Sequence, residues 1–184
     1  MVLRVLRLLL FPPNESRAYL DAYGSEAVES FTLGLTSGLG DGITSATRQF
    51  PFLAMLLCRW YWGQGPGLPF TAIQVNGAHF HTRRHRDSNI LGPSALKALG
   101  NFSGGNLLLW QRDAGTGSVD FLEVDDAVQA DPTDWCVFNG CLAHEVMATE
   151  GERFSLVFFR LAVVPENPSA WEHIAWLGFG LDSH

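Results

Sequence analysis

The stretch HTRRHRDSN, residues 81–89, gathers two histidines, three arginines and an aspartate into nine positions. His85 and Asp87 stand two apart, and on a strand residues two apart point to the same face. An imidazole and a carboxylate held side by side make most of a facial metal site, which one more imidazole completes while the opposite face of the ion stays open. His144 supplies that imidazole: it lies fifty-seven positions after Asp87, just past Asn139-Gly140, a pair suited to the tight turn that returns a chain to its sheet. Nine positions further on, Arg153 and Ser155 share a strand face. A guanidinium fork beside a hydroxyl is a receptor for a carboxylate.

The neighbours of these residues have plainer uses. His79 and His81 form an H-x-H, but the carboxylate such a metal motif expects is displaced to Asp87, six positions after His81, so both fall outside the expected ligand set. Arg83, Arg84 and Arg86 are expected either to form a solvated loop or to receive phosphate or carboxylate groups of a substrate at the rim of the metal pocket. Asn76 ends the strand before the motif, where it caps a turn or contacts a cosubstrate. Trp60, Trp62, Trp110 and Trp135 are expected in the core.

The elements that must position these groups are mostly short strands. FTAIQVN (70–76) precedes the motif, and SALKALG (94–100), GNLLLW (105–110), SVDFLEV (118–124), DWCVFN (134–139), HEVMAT (144–149) and RFSLVFFRLAVV (153–164) follow it, separated by Gly, Asn and Asp turns. Such spacing predicts an antiparallel barrel or sandwich. Upstream, residues 2–11 read as a strand or short helix, SFTLGLT (30–36) as a strand and SGLGDG (37–42) as a turn. Phe52, Met55, Leu56, Arg59 and Trp60 recur near helical spacing, which predicts one helix over about 46–62 packed on a sheet. A short C-terminal helix is expected in NPSAWEHIAWLGFG, between its proline and its closing glycine.

The chain of 184 residues has the length of one domain, with apolar residues at 47% and charged ones at 17%, a globular mixture. A formal net charge of -7, with Lys97 the only lysine, argues against a broad nucleic-acid or anionic-membrane surface. Cys58, Cys136 and Cys141 are too few, and odd in number, for a disulfide framework, so an intracellular compartment, cytoplasmic or nuclear, is expected. The N-terminus is interrupted by Arg4 and Arg7 and stopped by Pro12 and Pro13, unlike a secretory leader, and no stretch approaches a bilayer span. Its abrupt start also suits a piece of a longer chain.

In order and spacing, His85-Arg86-Asp87, His144 and Arg153-Phe154-Ser155 resemble the iron(II)- and 2-oxoglutarate-dependent oxygenases, whose signature is H-x-D, a distant H, then R-x-S. LGPSALKALGNFSGGNLLLW is similar to the segment that follows the first ligand pair in prolyl-hydroxylase-like members, with Gly104-Gly105-Asn106-Leu107 as their G-G-x-L strand. The resemblance covers about residues 70–160 and extends to small algal and protist members like the TET and JBP branch, which oxidises methylated bases in DNA. It departs at Asn106, where an acidic residue or Thr is common, and in the three arginines around His85.

What the resemblance implies is a mainly β fold, a double-stranded β-helix or jelly roll. A buttressing helix precedes its core strands, and residues 1–184 form one domain with its core at about 70–164. It implies iron(II) on His85, Asp87 and His144, and 2-oxoglutarate as cosubstrate anchored by Arg153 and Ser155 with Asn76 nearby. Dioxygen is then the oxidant, and ascorbate, used by some algal relatives, the alternative cosubstrate. The substrate stays open between a protein, a nucleic-acid base and a small molecule. A catalytically silent jelly-roll binding module is the reading from another class.

Overall fold

The computed structural model describes residues 1–37 and 40–180. The glycine-rich turn expected over 37–42 includes residues 38 and 39, which lie outside the described residues. Nine strands are described: β1 (Pro13–Asn14), β2 (Val28–Gly34), β3 (Ala72–Asn76), β4 (Ser94–Gly104), β5 (Leu107–Leu109), β6 (Val128–Ala130), β7 (Cys136–Phe138), β8 (His144–Val146) and β9 (Thr149–Phe159). The α-helices among these residues are α1 (Val2–Leu6), α2 (Ser45–Gln49), α3 (Pro51–Gln64) and α4 (Pro168–Leu177). The strands form two sheets, in the orders β1-β2-β3-β9-β4-β7 and β6-β5-β8, with every pairing antiparallel. This is a mainly β, jelly-roll architecture whose sheets do not close into a barrel.

Alternation along the central strands divides the large sheet into an apolar face and a polar one. Ile73 and Val75 of β3, with Phe154, Leu156 and Phe158 of β9, join the main core with Leu53, Ala54, Leu57, Cys58 and Tyr61 of α3 and Ala170, Ile174 and Leu177 of α4. Burial of each such side chain contributes roughly 1.5–3 kcal/mol. The intervening residues Gln74, Asn76, Arg153, Ser155 and Val157 face the small sheet and line a cavity between the two. Because β3 is buried on both faces along its whole length, its polar residues sit in the interior of the molecule.

Several elements differ from the pattern the sequence predicts. The helix expected over 46–62 is two helices, broken at Phe50 (φ -125°, ψ 51°), since a proline at 51 disfavours the α conformation in the residue before it. Its buried stripe also lies one position over from the expected one, and Phe52 is 82% exposed, because α3 is apolar almost all round and periodicity cannot choose the face. SVDFLEV is no strand but two 3-10 turns, Val119–Phe121 and Val124–Asp126. Its backbone is held by side chains instead: Arg84 donates to the carbonyls of Val119 and Leu122, and the Trp110 indole to that of Glu123. β1 and β6, two and three residues long, were below what alternation detects. Of the four tryptophans expected in the core, Trp110 is buried and Trp60 and Trp135 pack against the core, while Trp62 is 46% exposed. Cys58, Cys136 and Cys141 are free thiols. No helix among the described residues is long and apolar enough to cross a membrane.

Candidate metal centre

His85 and Asp87 do not belong to a regular strand. They sit in an extended segment stitched to its neighbours by isolated bridges, with the amides and carbonyls of His85 and His144 exchanging hydrogen bonds of 3.0 and 2.9 Å and the Asp87 amide donating to the Gly140 carbonyl at 2.9 Å. The expected side-by-side presentation survives because the backbone remains extended. His144 arrives on β8, held by Leu109 of β5 on its other side. Asn139 and Gly140 make the anticipated turn, closed by the Leu142 amide on the Asn139 carbonyl. A Cβ at Gly140 would lie 3.1 Å from Asp87 Oδ2, so the glycine leaves room for that carboxylate.

The three side chains meet. Their ligand atoms all lie within 4.8 Å of one another, with Asp87 Oδ1 3.6 Å from His85 Nε2 and Oδ2 3.7 Å from His144 Nε2. Each Nδ1 faces a backbone carbonyl, Arg83 at 2.7 Å for His85 and Leu142 at 2.9 Å for His144. A ring nitrogen that faces a carbonyl carries the proton, which leaves both Nε2 lone pairs directed at the carboxylate. Two imidazole nitrogens and one carboxylate oxygen are a donor set for a divalent transition metal. Bound at about 2.1 Å and at right angles, they would stand roughly 3 Å apart, a small contraction from the two observed histidine–aspartate distances. The residues therefore fit the ion. Burial, with the adjacent His144, pushes His85 down to about 4, against the pull of Asp87, so its ring is neutral at physiological pH.

Asp113 is the positioning residue that sequence reasoning missed. Its enclosed carboxylate takes a forked pair from Arg86, Nε to Oδ2 at 2.6 Å and Nη2 to Oδ1 at 2.7 Å, and accepts the Ala143 amide at 2.7 Å. Arg86 separates two ligands in sequence and Ala143 precedes the third, so one carboxylate brackets all three. The Arg86 guanidinium holds Asp113 down at about 2, so it is ionised throughout the physiological range. The signal that could have found it is the arginine between two ligands, which needs a counter-charge if it is not solvated.

That bracket corrects the expectation for the arginines. Arg86 also donates to the carbonyls of Gly117 and Thr116, and Arg84 pairs with Glu145 at 3.2 Å while its guanidinium lies 4.0 Å from the Trp110 ring. Both are engaged inside the chain, neither solvated nor free to receive a substrate; only Arg83 of the three is exposed. His79 is exposed, and His81 is buried edge-on against Tyr23, both apart from the triad.

At the other side of the same cavity, of about 250 Å³, stand Arg153, Ser155 and Asn76. Arg153 is 2% exposed, and its Nε and Nη2 have no hydrogen-bond partner among the described residues. Burial pulls it down to about 10, still charged at neutral pH. Gly105 makes the room: a Cβ there would stand 2.8 Å from both Cδ and Nε of Arg153. Asn76 Nδ2 donates to Ser155 Oγ at 3.0 Å, which leaves the serine proton available to an acceptor in the cavity. The signature residues are thus gathered on one cavity. Arg17, which lines it too, was not foreseen.

No protein-family profile matches the chain, and no curated protein matches its sequence. Solved structures do. The chain overlays NgTET1 in complex with 5mC DNA at a TM-score of 0.50 and 17% identity, over 74% of this chain and 62% of that one. It thus spans less than two thirds of the length of that protein. Looser overlays include a 2OG-Fe(II) oxygenase family oxidoreductase from Burkholderia pseudomallei, at 0.49 and 16% over 85% and 76% of the two chains. A Pseudomonas putida prolyl-4-hydroxylase follows at 0.35 and 22% over 72% and 68%. What the first overlay establishes is architecture: this chain has the fold of a TET protein, and so a fold of the 2-oxoglutarate and iron(II) oxygenase type.

Proposed function

We propose that the chain is an iron(II)- and 2-oxoglutarate-dependent dioxygenase that oxidises a substrate C–H bond. The observation that carries this is one cavity with a His–Asp–His cluster on one wall and, on another, a buried guanidinium that has no acceptor. An unpaired buried charge is costly, by several kcal/mol in typical proteins, and an anion that completes it relieves that cost.

His85, Asp87 and His144 would hold the metal. When bound, iron(II) supplies the redox chemistry by which dioxygen converts 2-oxoglutarate to succinate and carbon dioxide and a substrate R–H to R–OH. The chain's own residues do the positioning. Arg153 receives the carboxylate of 2-oxoglutarate remote from the metal through its two free N–H groups, and Ser155 adds a hydroxyl oriented by Asn76. Leu96, Leu107, Val146 and Val157 line the space between and keep water from the cosubstrate chain. The Arg86–Asp113 pair holds the ligand-bearing segments in register.

The test is metal loading under anaerobic conditions followed by cosubstrate turnover. One iron(II) per chain is expected by elemental analysis, Asp87→Ala is expected to hold none, and succinate should form only when 2-oxoglutarate and dioxygen are both supplied. Unchanged iron stoichiometry in the variant overturns the triad. Succinate formation that ignores 2-oxoglutarate, or turnover that responds to ascorbate in its place, overturns the cosubstrate. Metal without turnover under any of these conditions favours the silent module. Arg84 and Arg86 are tied within the chain, so neither of them supports oxidation of a methylated base.

A further inference from the structure

Three arginines line the cavity, and two have a use. Arg86 is neutralised by Asp113, and Arg153 serves the cosubstrate under the reading above. The third is Arg17, on the 3-10 segment Glu15–Leu20 that precedes β2. We propose that Arg17 is the binding site for a second oxyanion, a carboxylate or phosphate carried by the substrate itself, so that the substrate bears an acidic group. This rests on the iron and 2-oxoglutarate reading and deepens it.

Arg17 is held for the task from one side only. Its Nη1 donates to Gln74 Oε1 at 3.1 Å, an oxygen that also accepts from Thr32 Oγ1 at 2.7 Å and so has both lone pairs used. Gln74 Nε2 donates to Asn76 Oδ1 at 3.2 Å, and Asn76 to Ser155, so a row of oriented amides leads from Arg17 to the cosubstrate end. The Phe80 ring lies 5.9 Å from the guanidinium carbon. Arg17 Nε is enclosed and has no acceptor among the described residues. A buried N–H without a partner is rare in a finished protein, and a cation in that state marks a place where an anion belongs.

Charge and position separate this site from that of the cosubstrate. The two positive charges of iron(II) and the one of Arg153 are balanced by Asp87 and the two carboxylates of 2-oxoglutarate. Arg17 is attracted by Asp87, but that carboxylate is already counted against the metal, so the filled cavity still carries one positive charge in excess. Nε is enclosed in both arginines, but Arg153 stands beside Ser155 on β9, whereas Arg17 stands on the segment that carries Tyr19, which is 66% exposed where it borders the cavity. The group that meets Arg17 therefore lies on the Tyr19 side of the cavity, apart from the cosubstrate end.

The experiment uses the full chain loaded with zinc(II), which permits binding without turnover, titrated with 2-oxoglutarate and then with inorganic phosphate or acetate, each with and without saturating 2-oxoglutarate. Calorimetry reads affinity and thermal melting confirms the fold. Arg17→Gln is expected to weaken one or both probes by roughly 10- to 100-fold, the loss of one charge-assisted contact, while 2-oxoglutarate and zinc bind within about threefold of the parent. Arg17→Lys should recover part of the probe affinity, and Arg153→Leu should show the opposite split. The probe that responds tells carboxylate from phosphate. If the parent binds neither probe, or the variant binds both as the parent does, the proposal is overturned. If Arg17→Gln loses 2-oxoglutarate or zinc instead, Arg17 belongs to the cosubstrate or steadies Asp87, and the proposal is equally overturned. A parent that binds the probes through Arg17 but not 2-oxoglutarate would sink the dioxygenase reading and leave the oxyanion site standing.

Discussion

At the histidine end of the cavity both imidazoles have an acceptor for their protein-facing nitrogen and the Arg86–Asp113 pair is doubly bonded; at the arginine end, Nε and Nη2 of Arg153 and Nε of Arg17 have none. The two ends differ in what completes them. The first is a preorganised cage of neutral and negative donors that needs only a cation. The second carries the desolvation of two guanidinium groups: Arg153 has no matching anion among the described residues, and Arg17 is attracted only by Asp87, itself a metal ligand. A buried group that binds nothing is normally selected away or paired, so the asymmetry points to a metal at one end and carboxylates at the other.

The largest effect should come from removing the unpaired charge. In Arg153→Leu the affinity for 2-oxoglutarate is expected to fall by about a hundredfold or more, since losing one partner of a buried charge pair costs about 3–5 kcal/mol. The apo protein should at the same time become more stable, by about 1–3 kcal/mol, because a buried donor set without acceptors is replaced by an apolar side chain. In melting experiments the parent gains Tm on adding 2-oxoglutarate and the variant does not, while the variant starts a few degrees higher. If the variant lacking 2-oxoglutarate melts lower than the parent, the arginine end is satisfied in some way the comparison misses.

Asp113→Asn probes the opposite end and should do the opposite. An amide cannot accept both N–H groups of the Arg86 fork and the Ala143 amide, so the bracket opens and Arg86 is left buried beside a neutral group. Metal affinity is expected to fall 10- to 100-fold, as for other groups that orient ligands, and apo Tm to fall by several degrees. A merely structural role would lower Tm while leaving the metal affinity of the folded protein untouched, so the pair of readings separates the two.

Much of the site was legible in the sequence because its chemistry is carried by residue type at short spacing. H-x-D and R-x-S each lie within one extended segment, and extended backbone presents alternate residues together whether or not a regular ladder forms. What escaped was set by distance along the chain. Asp113 is twenty-seven residues from Arg86, Arg17 fifty-seven from Gln74, and no local pattern reveals either partner. The fold shows the same division. Strands β3 and β9, rich in β-branched and aromatic residues, stood out, whereas the 118–124 segment has strand-like residues but is held by Arg84 and Trp110 from elsewhere, and the face of α3 depended on which neighbours it met.

The smallest expected effect is a pH dependence confined to the histidine end. Buried beside His144, His85 titrates at about 4 in the folded protein, against an ordinary value near 6.5. As pH falls from about 6.5, the unfolded chain takes up this proton first, so the folded state loses stability progressively until about 4, below which both states are protonated and the dependence ends. Asp113, held down at about 2 by Arg86, adds to the loss in the same direction only near pH 4, where the unfolded carboxylate begins to protonate. In metal-free protein kept so with a chelator, Tm should fall by several degrees between pH 6.5 and 4, and by less in His85→Gln, which has no proton to gain. The difference between the two curves isolates this one ring from the other titrating groups. Parallel curves would mean that His85 is as free to protonate in the folded protein as in water, and that the histidine end is less preorganised for a cation than its hydrogen bonds imply.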